Sequence, residues 1–253
     1  MNYDELKAKL KEEEEAAKIS GWDFSHIDGK CKEYDENMTW NYHETVRKYL
    51  KDDSKILDID TGGGEMLLKF HHPYSLTSAT ESYPPSVKLC KEKLLPLGID
   101  FHEASDYSSL PFENDTFDIV LNRHGSYDPV EVKRVLKPGG IFITQQVGGK
   151  NNHELRKFLC PNGKYNYADH DLQHELPKVQ KAGFRILQSD ECLFKCEFYD
   201  LGALVWYAKV INHEFDGFSV DTNFEQILAA RDILKRDGKI TTKYHRFLIV
   251  AQK

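Results

Sequence analysis

Apolar residues along the chain come in short continuous runs separated by helically spaced repeats, which is the signature of strands alternating with helices. The run Ile56-Leu57-Asp58-Ile59 predicts a short buried strand that delivers Gly62, Gly63 and Gly64 to a helix start carrying Met66, Leu67 and Phe70 on one side. Further strands are expected over 76–80, 99–104, 117–122 and 141–147, with later ones over 186–194 and 244–251. Between them, Val87, Leu89, Cys90 and Leu94 mark the inner face of a helix opened by Pro84-Pro85, and another helix is expected over 128–136. The order predicts a Rossmann-like α/β fold: a mostly parallel, seven-stranded sheet with helices on both faces.

Outside this core the pattern is helical. Residues 1–18 combine Lys and Glu with Leu6 and Leu10, as in a surface helix supported by charge pairs, and 39–50 repeats Tyr42, Val46 and Leu50 at helical spacing. A helix over 172–182 contains Pro177, which predicts a kink or a late start. Leu201, Leu204, Ala208 and Ile211 define a helix in an insertion before the last strand, and Thr222-x-x-Glu225 predicts a capping box opening a second one. The expected organisation is one domain over 1–253: a helical cap (1–38), a core (39–150) and a C-terminal half (151–253) with a helical insertion at about 198–240.

A hydrophobic share of 40% with 30% charged residues describes a globular protein, and no apolar run reaches the length of a membrane span. The N-terminus shows no signal-peptide pattern, so the expected compartment is the cytoplasm, with no membrane partner. A net charge of -7 argues against duplex nucleic acid as partner. The five cysteines read as reduced thiols, and Cys192 and Cys196 lack further ligands at metal spacing, so no metal is expected.

Three glycines at a helix N-terminus let a ligand approach main-chain N–H groups closely. Parallel sheets bind ligands at the carboxyl ends of their strands, and Glu81, Asp106 and Asn122 fall at such ends beside the glycine turn. The turn lacks the Gly-x-Gly-x-x-Gly of dinucleotide sites, and no Gly-x-x-x-x-Gly-Lys-Ser/Thr is present. Asp58-x-Asp60-x-Gly62-x-Gly64, Glu81, Asp106, Leu110-Pro111-Phe112 to Phe117-Asp118-Ile119-Val120 and Leu136-Lys137-Pro138-Gly139-Gly140 occur in an order that resembles the class I S-adenosylmethionine-dependent methyltransferases over roughly residues 40–150.

The resemblance implies S-adenosylmethionine as cofactor and a site built from Asp58, Asp60, Gly62, Gly63, Gly64, Glu81, Ser105, Asp106, Tyr107, Asn122 and Arg123. In that reading Gly62 and Gly64 carry the methionine part, Glu81 the ribose hydroxyls and Asp106 the adenine amine, with Asn122 and Arg123 beneath the methyl donor. Asp60 stands where the family usually has glycine. His124 is the candidate proton acceptor or substrate contact. An aromatic-lined pocket with Trp22, Trp40 or Trp206 is expected above the methyl donor, which favours a small or medium-sized substrate on a monomer or homodimer. RNA or protein methylation, or cofactor binding without catalysis, are the alternatives.

Overall fold

The computed structural model describes residues 2–19, 21–104 and 106–253. Its centre is β2 (Ile56–Ile59), with every residue buried, as befits a strand covered on both faces. Ile56 joins one apolar cluster with Val46, Phe70 and Leu121, whereas Leu57 and Ile59 join another with Val120, Phe142 and Phe247. The two-residue period of a strand thus supplies a core on each side of the sheet.

β2 pairs in parallel with β3 (Thr77–Glu81) on one side and β5 (Phe117–Arg123) on the other. β4 (Asp100–Glu103) and β6 (Leu136–Val147) extend the parallel part. β8 (Ile240–Gln252) then inserts antiparallel between β6 and β7 (Arg185–Phe198). The sheet has eight strands rather than seven, in the order β1-β7-β8-β6-β5-β2-β3-β4. The added strand, β1 (Cys31–Tyr34), lies inside the segment expected to be a purely helical cap and pairs antiparallel with the far end of β7.

α1 (Tyr3–Ala16) opens with a capping box between Asn2 and Glu5 and buries Leu6 and Leu10. They enter a third apolar cluster with α8 (Leu201–Val210), α9 (Phe224–Asp237) and the ends of β7 and β8. This second storey stands beyond the carboxyl ends of the parallel strands, so the long β7–β8 pair forms one wall of whatever lies between. α7 (Leu172–Lys181) starts on schedule despite Pro177, because Asp171 Oδ1 accepts the His174 N–H at 3.0 Å. The expected capping box at α9 is not made: Asn223 is the cap residue, and its side chain accepts from Ser219 N–H and donates to Leu159 O.

Candidate active site

The chain leaves β2 through a tight turn with Asp60, Gly62 and Gly64 all at positive φ (59°, 67° and 79°). At Gly63 it is space that demands glycine: a Cβ there would stand 2.6 Å from Leu89 Cδ2 and 2.1 Å from Glu65 Oε1. The turn's amides point at carboxylates. Gly62 N–H donates to Glu81 Oε2 at 2.6 Å and Gly63 N–H to Glu65 Oε2 at 2.9 Å. Glu81, buried at the end of β3, also accepts from Ser82 N–H and Tyr83 N–H through Oε1. The turn therefore already displays its affinity for carboxylate oxygens.

Asp58 is buried and accepts from the Thr61 hydroxyl at 2.6 Å. Burial first, and then the charge of Asp60, push its carboxyl up to about 7 against the Thr61 bond, which pulls it down. Glu81 is pushed up too, by burial and then by Asp60. A carboxyl whose folded pKa lies above its unfolded value stabilises the fold below the unfolded pKa, and that stability is lost as pH rises through the folded one. The melting temperature of the ligand-free protein is accordingly expected to fall on the order of 5 °C between about pH 5 and about pH 8. Asp58→Asn should flatten that slope in a differential scanning series; an unchanged slope would dissociate Asp58 from it.

Asp60 does more than stand in for a glycine. Its left-handed backbone is one that Asp tolerates better than most residues. Its carboxylate accepts from the Tyr107 hydroxyl at 2.7 Å and Ser126 N–H at 3.1 Å, tying together the loops that follow β2, β4 and β5. Gly125 is its counterpart, since a Cβ at 125 would meet Asp60 Cβ at 2.5 Å. Asp60→Gly relieves the backbone but leaves both donors without their acceptor, so S-adenosylhomocysteine affinity is expected to fall about tenfold. Equal affinities by calorimetry would show that Asp60 does not matter to the site.

The remaining expected residues divide. Asn122 is a fully buried strut, donating to Ile59 O and accepting from Thr144 and Gln146, so its side chain is committed to holding the strand ends. Asp106 is exposed and turns back to accept from Ser108 N–H and Oγ. Ser105 lies outside the described residues. Arg123, at the end of β5, has its Nε buried with no hydrogen-bond partner among the described residues.

His124, at positive φ, faces the aromatic edge of Trp22 at 6.3 Å between ring centroids. Trp40 Nε1–H can only donate, and it donates to Gln145 Oε1 at 2.8 Å, which turns the Gln145 amide nitrogen toward His124 Nε2 at 3.2 Å. His124 Nε2 must therefore accept, leaving the proton on Nδ1. Burial, then the Arg123 and Arg246 charges, hold its pKa well below the ordinary histidine value. A neutral ring with its lone pair engaged is poorly set up as a proton acceptor in this state, and what it offers is a donor, Nδ1–H.

Two cavities open at this edge of the sheet. The smaller, about 150 Å³, is bounded by Asp58, Asp60, Thr61 and Glu65. The larger, about 420 Å³, runs up between the sheet and the cap. They share Trp22, Met66 and Arg123 as a common partition. Of the three expected tryptophans only Trp22 reaches them: Trp40 stands behind Gln145, and Trp206 is buried in α8, donating to Ala16 O and stacked on His26. The larger cavity also exposes residues not singled out from the sequence, among them Glu33, Phe194, Tyr244 and Arg246. The alternation Tyr244-x-Arg246-x-Leu248 on the last strand was the available signal, but only the β6–β8 register shows that Arg246 stands beside Val147.

A glycine turn after the first core strand, an acid at the end of the next, and five parallel strands finished by an antiparallel insertion define the class I methyltransferase fold. Residues 57–144 match the family described as "Methyltransferase domain", and that stretch is a methyltransferase domain. The "Probable phthiotriol/phenolphthiotriol dimycocerosates methyltransferase 2" of Mycobacterium ulcerans is 36% identical over 111 residues, which cover 40% of this chain and 42% of that protein. The match thus spans about two fifths of the relative's length. Among solved structures, a candidate methyltransferase from Bacillus halodurans has a TM-score of 0.58 at 16% identity, covering 84% of this chain and 98% of its own. YcgJ from Bacillus subtilis has 0.55 at 19%, with 83% and 96% covered. At these identities the likeness is one of fold.

Proposed function

We propose that the protein transfers the methyl group of S-adenosylmethionine to a small or medium-sized molecule held in the larger cavity. The observation that carries this is the junction itself: a glycine turn whose amides hold carboxylates, beside a buried acid, opens across Trp22, Met66 and Arg123 into a partly open cleft of about 420 Å³. That volume lies within the usual range for small-molecule sites.

The donor set fits the cofactor. Gly62 and Gly63 N–H would hold its carboxylate in exchange for the side chains they now bind, and Asp58 and Asp60 would face its amino group. Glu81, acceptor-only when ionised, would take the ribose hydroxyls, and Asp106 and Tyr107 would lie on the adenine side. The cofactor supplies a methyl group already activated on a sulfonium. What remains for the chain is to align the acceptor and exclude water, the task this reading gives to the cap and the β7–β8 wall. His124 contributes Nδ1–H to orientation. His124→Asn should lower turnover while cofactor binding holds, whereas unchanged turnover would remove the residue from the mechanism.

The printed name of the Mycobacterium relative points to a lipid acceptor in that protein. In this chain the second storey is built from α1, α8, α9 and β1, and Cys31, Glu33 and Tyr207 from it line a cleft of about 420 Å³, a size suited to a smaller body. The net charge of -7 disfavours RNA. A thermal-shift panel with S-adenosylmethionine, S-adenosylhomocysteine and NAD tests the reading, because a ligand that binds only the folded state raises its melting temperature. Stabilisation by the first two alone is expected; stabilisation by NAD alone would point to an oxidoreductase.

A further inference from the structure

The larger cavity contains charges that the proposed methyl transfer does not use. Arg123 comes from the carboxyl end of β5 and Arg246 from β8. The register pairs Arg123 with Gln145, Val147 with Arg246, and Phe194 with Tyr244. Paired and alternate residues share a face, so both guanidinium groups rise from one side of the sheet into one space, with Phe194 and Tyr244 beside them. Arg246 lies over those two rings, at 5.8 and 5.0 Å from their centroids.

Neither arginine has a carboxylate within 4 Å among the described residues. Arg246 donates only to neutral oxygens, Asn151 Oδ1 and His245 O. The Arg123 side chain makes no hydrogen bond among the described residues, its Nε is buried, and the Tyr42 ring is 6.0 Å away. A guanidinium carries five N–H donors, and leaving a buried one without an acceptor is costly. Two such cations on one face, each lowering the comfort of the other, form an arrangement that an anion would relieve.

The cavity's acids offset them only in part, since none comes within 4 Å of either guanidinium among the described residues. Glu214 is held by Asn151 Nδ2 and Asn152 Nδ2, both at 2.8 Å. Glu33 shares that face through the β1–β7 register, and burial pushes its carboxyl up, favouring the neutral form and outweighing the charges of Arg246 and Arg123, which lower it. Asp35 completes the acidic side of the lining.

We infer that the methyl acceptor is a small carboxylic acid with an aromatic or apolar body, its carboxylate held by Arg123 and Arg246 and its body against Phe194, Tyr244 and Trp22. The inference rests on the methyl-transfer reading for calling the ligand an acceptor, and on the cavity alone for its chemistry. Arg forks match carboxylates bidentately, and the aromatic walls supply the apolar contact. Arg123 also borders the smaller cavity, so its assignment to the acceptor rather than to the cofactor is part of the claim.

Calorimetric titrations of the full chain, saturated with S-adenosylhomocysteine, test it with three probes of one shape: 3-phenylpropionate, 3-phenylpropionamide and 3-phenylpropylamine. The acid is expected to bind at least about tenfold more tightly than the amide. Arg246→Met should erase that preference, and Arg123→Met should do the same, with S-adenosylhomocysteine affinity unchanged in both. Retained S-adenosylhomocysteine binding also shows that each variant is folded. Equal binding of acid and amide, tighter binding of the amine, or no binding of the acid would overturn the inference. An Arg123→Met variant that loses S-adenosylhomocysteine but keeps the acid preference would overturn the shared subsite. Failure of the methyl-transfer reading shows separately, as absence of S-adenosylhomocysteine binding to the wild type.

Discussion

Glu81→Ala is expected to weaken S-adenosylhomocysteine binding at least about a hundredfold and to lower the melting temperature by roughly 5–15 °C. The carboxylate is 3% exposed and accepts three main-chain N–H bonds, from Gly62, Ser82 and Tyr83. Removing it leaves those donors without their acceptor beneath the glycine turn, each at a cost of about 1–3 kcal/mol before water enters. On the proposed cofactor reading it also removes the group that would accept two ribose hydroxyls. Glu81→Gln keeps the volume and one acceptor oxygen but turns an amide toward a donor, so an intermediate loss of about tenfold is expected. Calorimetry and thermal melts on the pair separate the two contributions: a structural role alone would move the melting temperature and spare the affinity.

Gly64→Ala is expected to be more damaging than Gly62→Ala, lowering stability by about 2–5 kcal/mol. Gly64 sits at φ 79°, where an L side chain costs about 1–2 kcal/mol, and its Cβ would stand 2.7 Å from Leu94 Cδ2. Leu94 is fully buried and cannot swing aside without disturbing the core around Val87 and Cys90. Gly62→Ala, at φ 67° with no contact closer than 3.6 Å, should cost about 1–2 kcal/mol from the backbone alone. Chemical denaturation of the two variants should give that order, and the reverse order would show that Leu94 yields.

The features legible in the sequence were local ones. Asp58 to Gly64, Glu81 and the strand ends around them follow from the apolar run of each strand and the turn residues after it, and the structure sets them on one edge. Asp60 was legible as an oddity but not as a tie, since its donors are Tyr107 and Ser126, 47 and 66 residues away. The alternation around Arg246 was legible but its place was not, because that depends on β8 inserting antiparallel between β6 and β7. Cys31–Tyr34 has too little apolar alternation to read as a strand, and only the exposed end of β7 makes it one. Asn122 carried a plausible cofactor role by position, yet four neighbours engage its amide as a strut.

The central claim is that the glycine turn and Glu81 together hold S-adenosylmethionine, and titration of S-adenosylhomocysteine into the wild-type chain and Glu81→Ala tests it most directly. The account predicts saturable binding of one molecule per chain to the wild type and a loss of at least about a hundredfold in the variant. Absence of binding to the wild type, or equal affinity in the two, would contradict it.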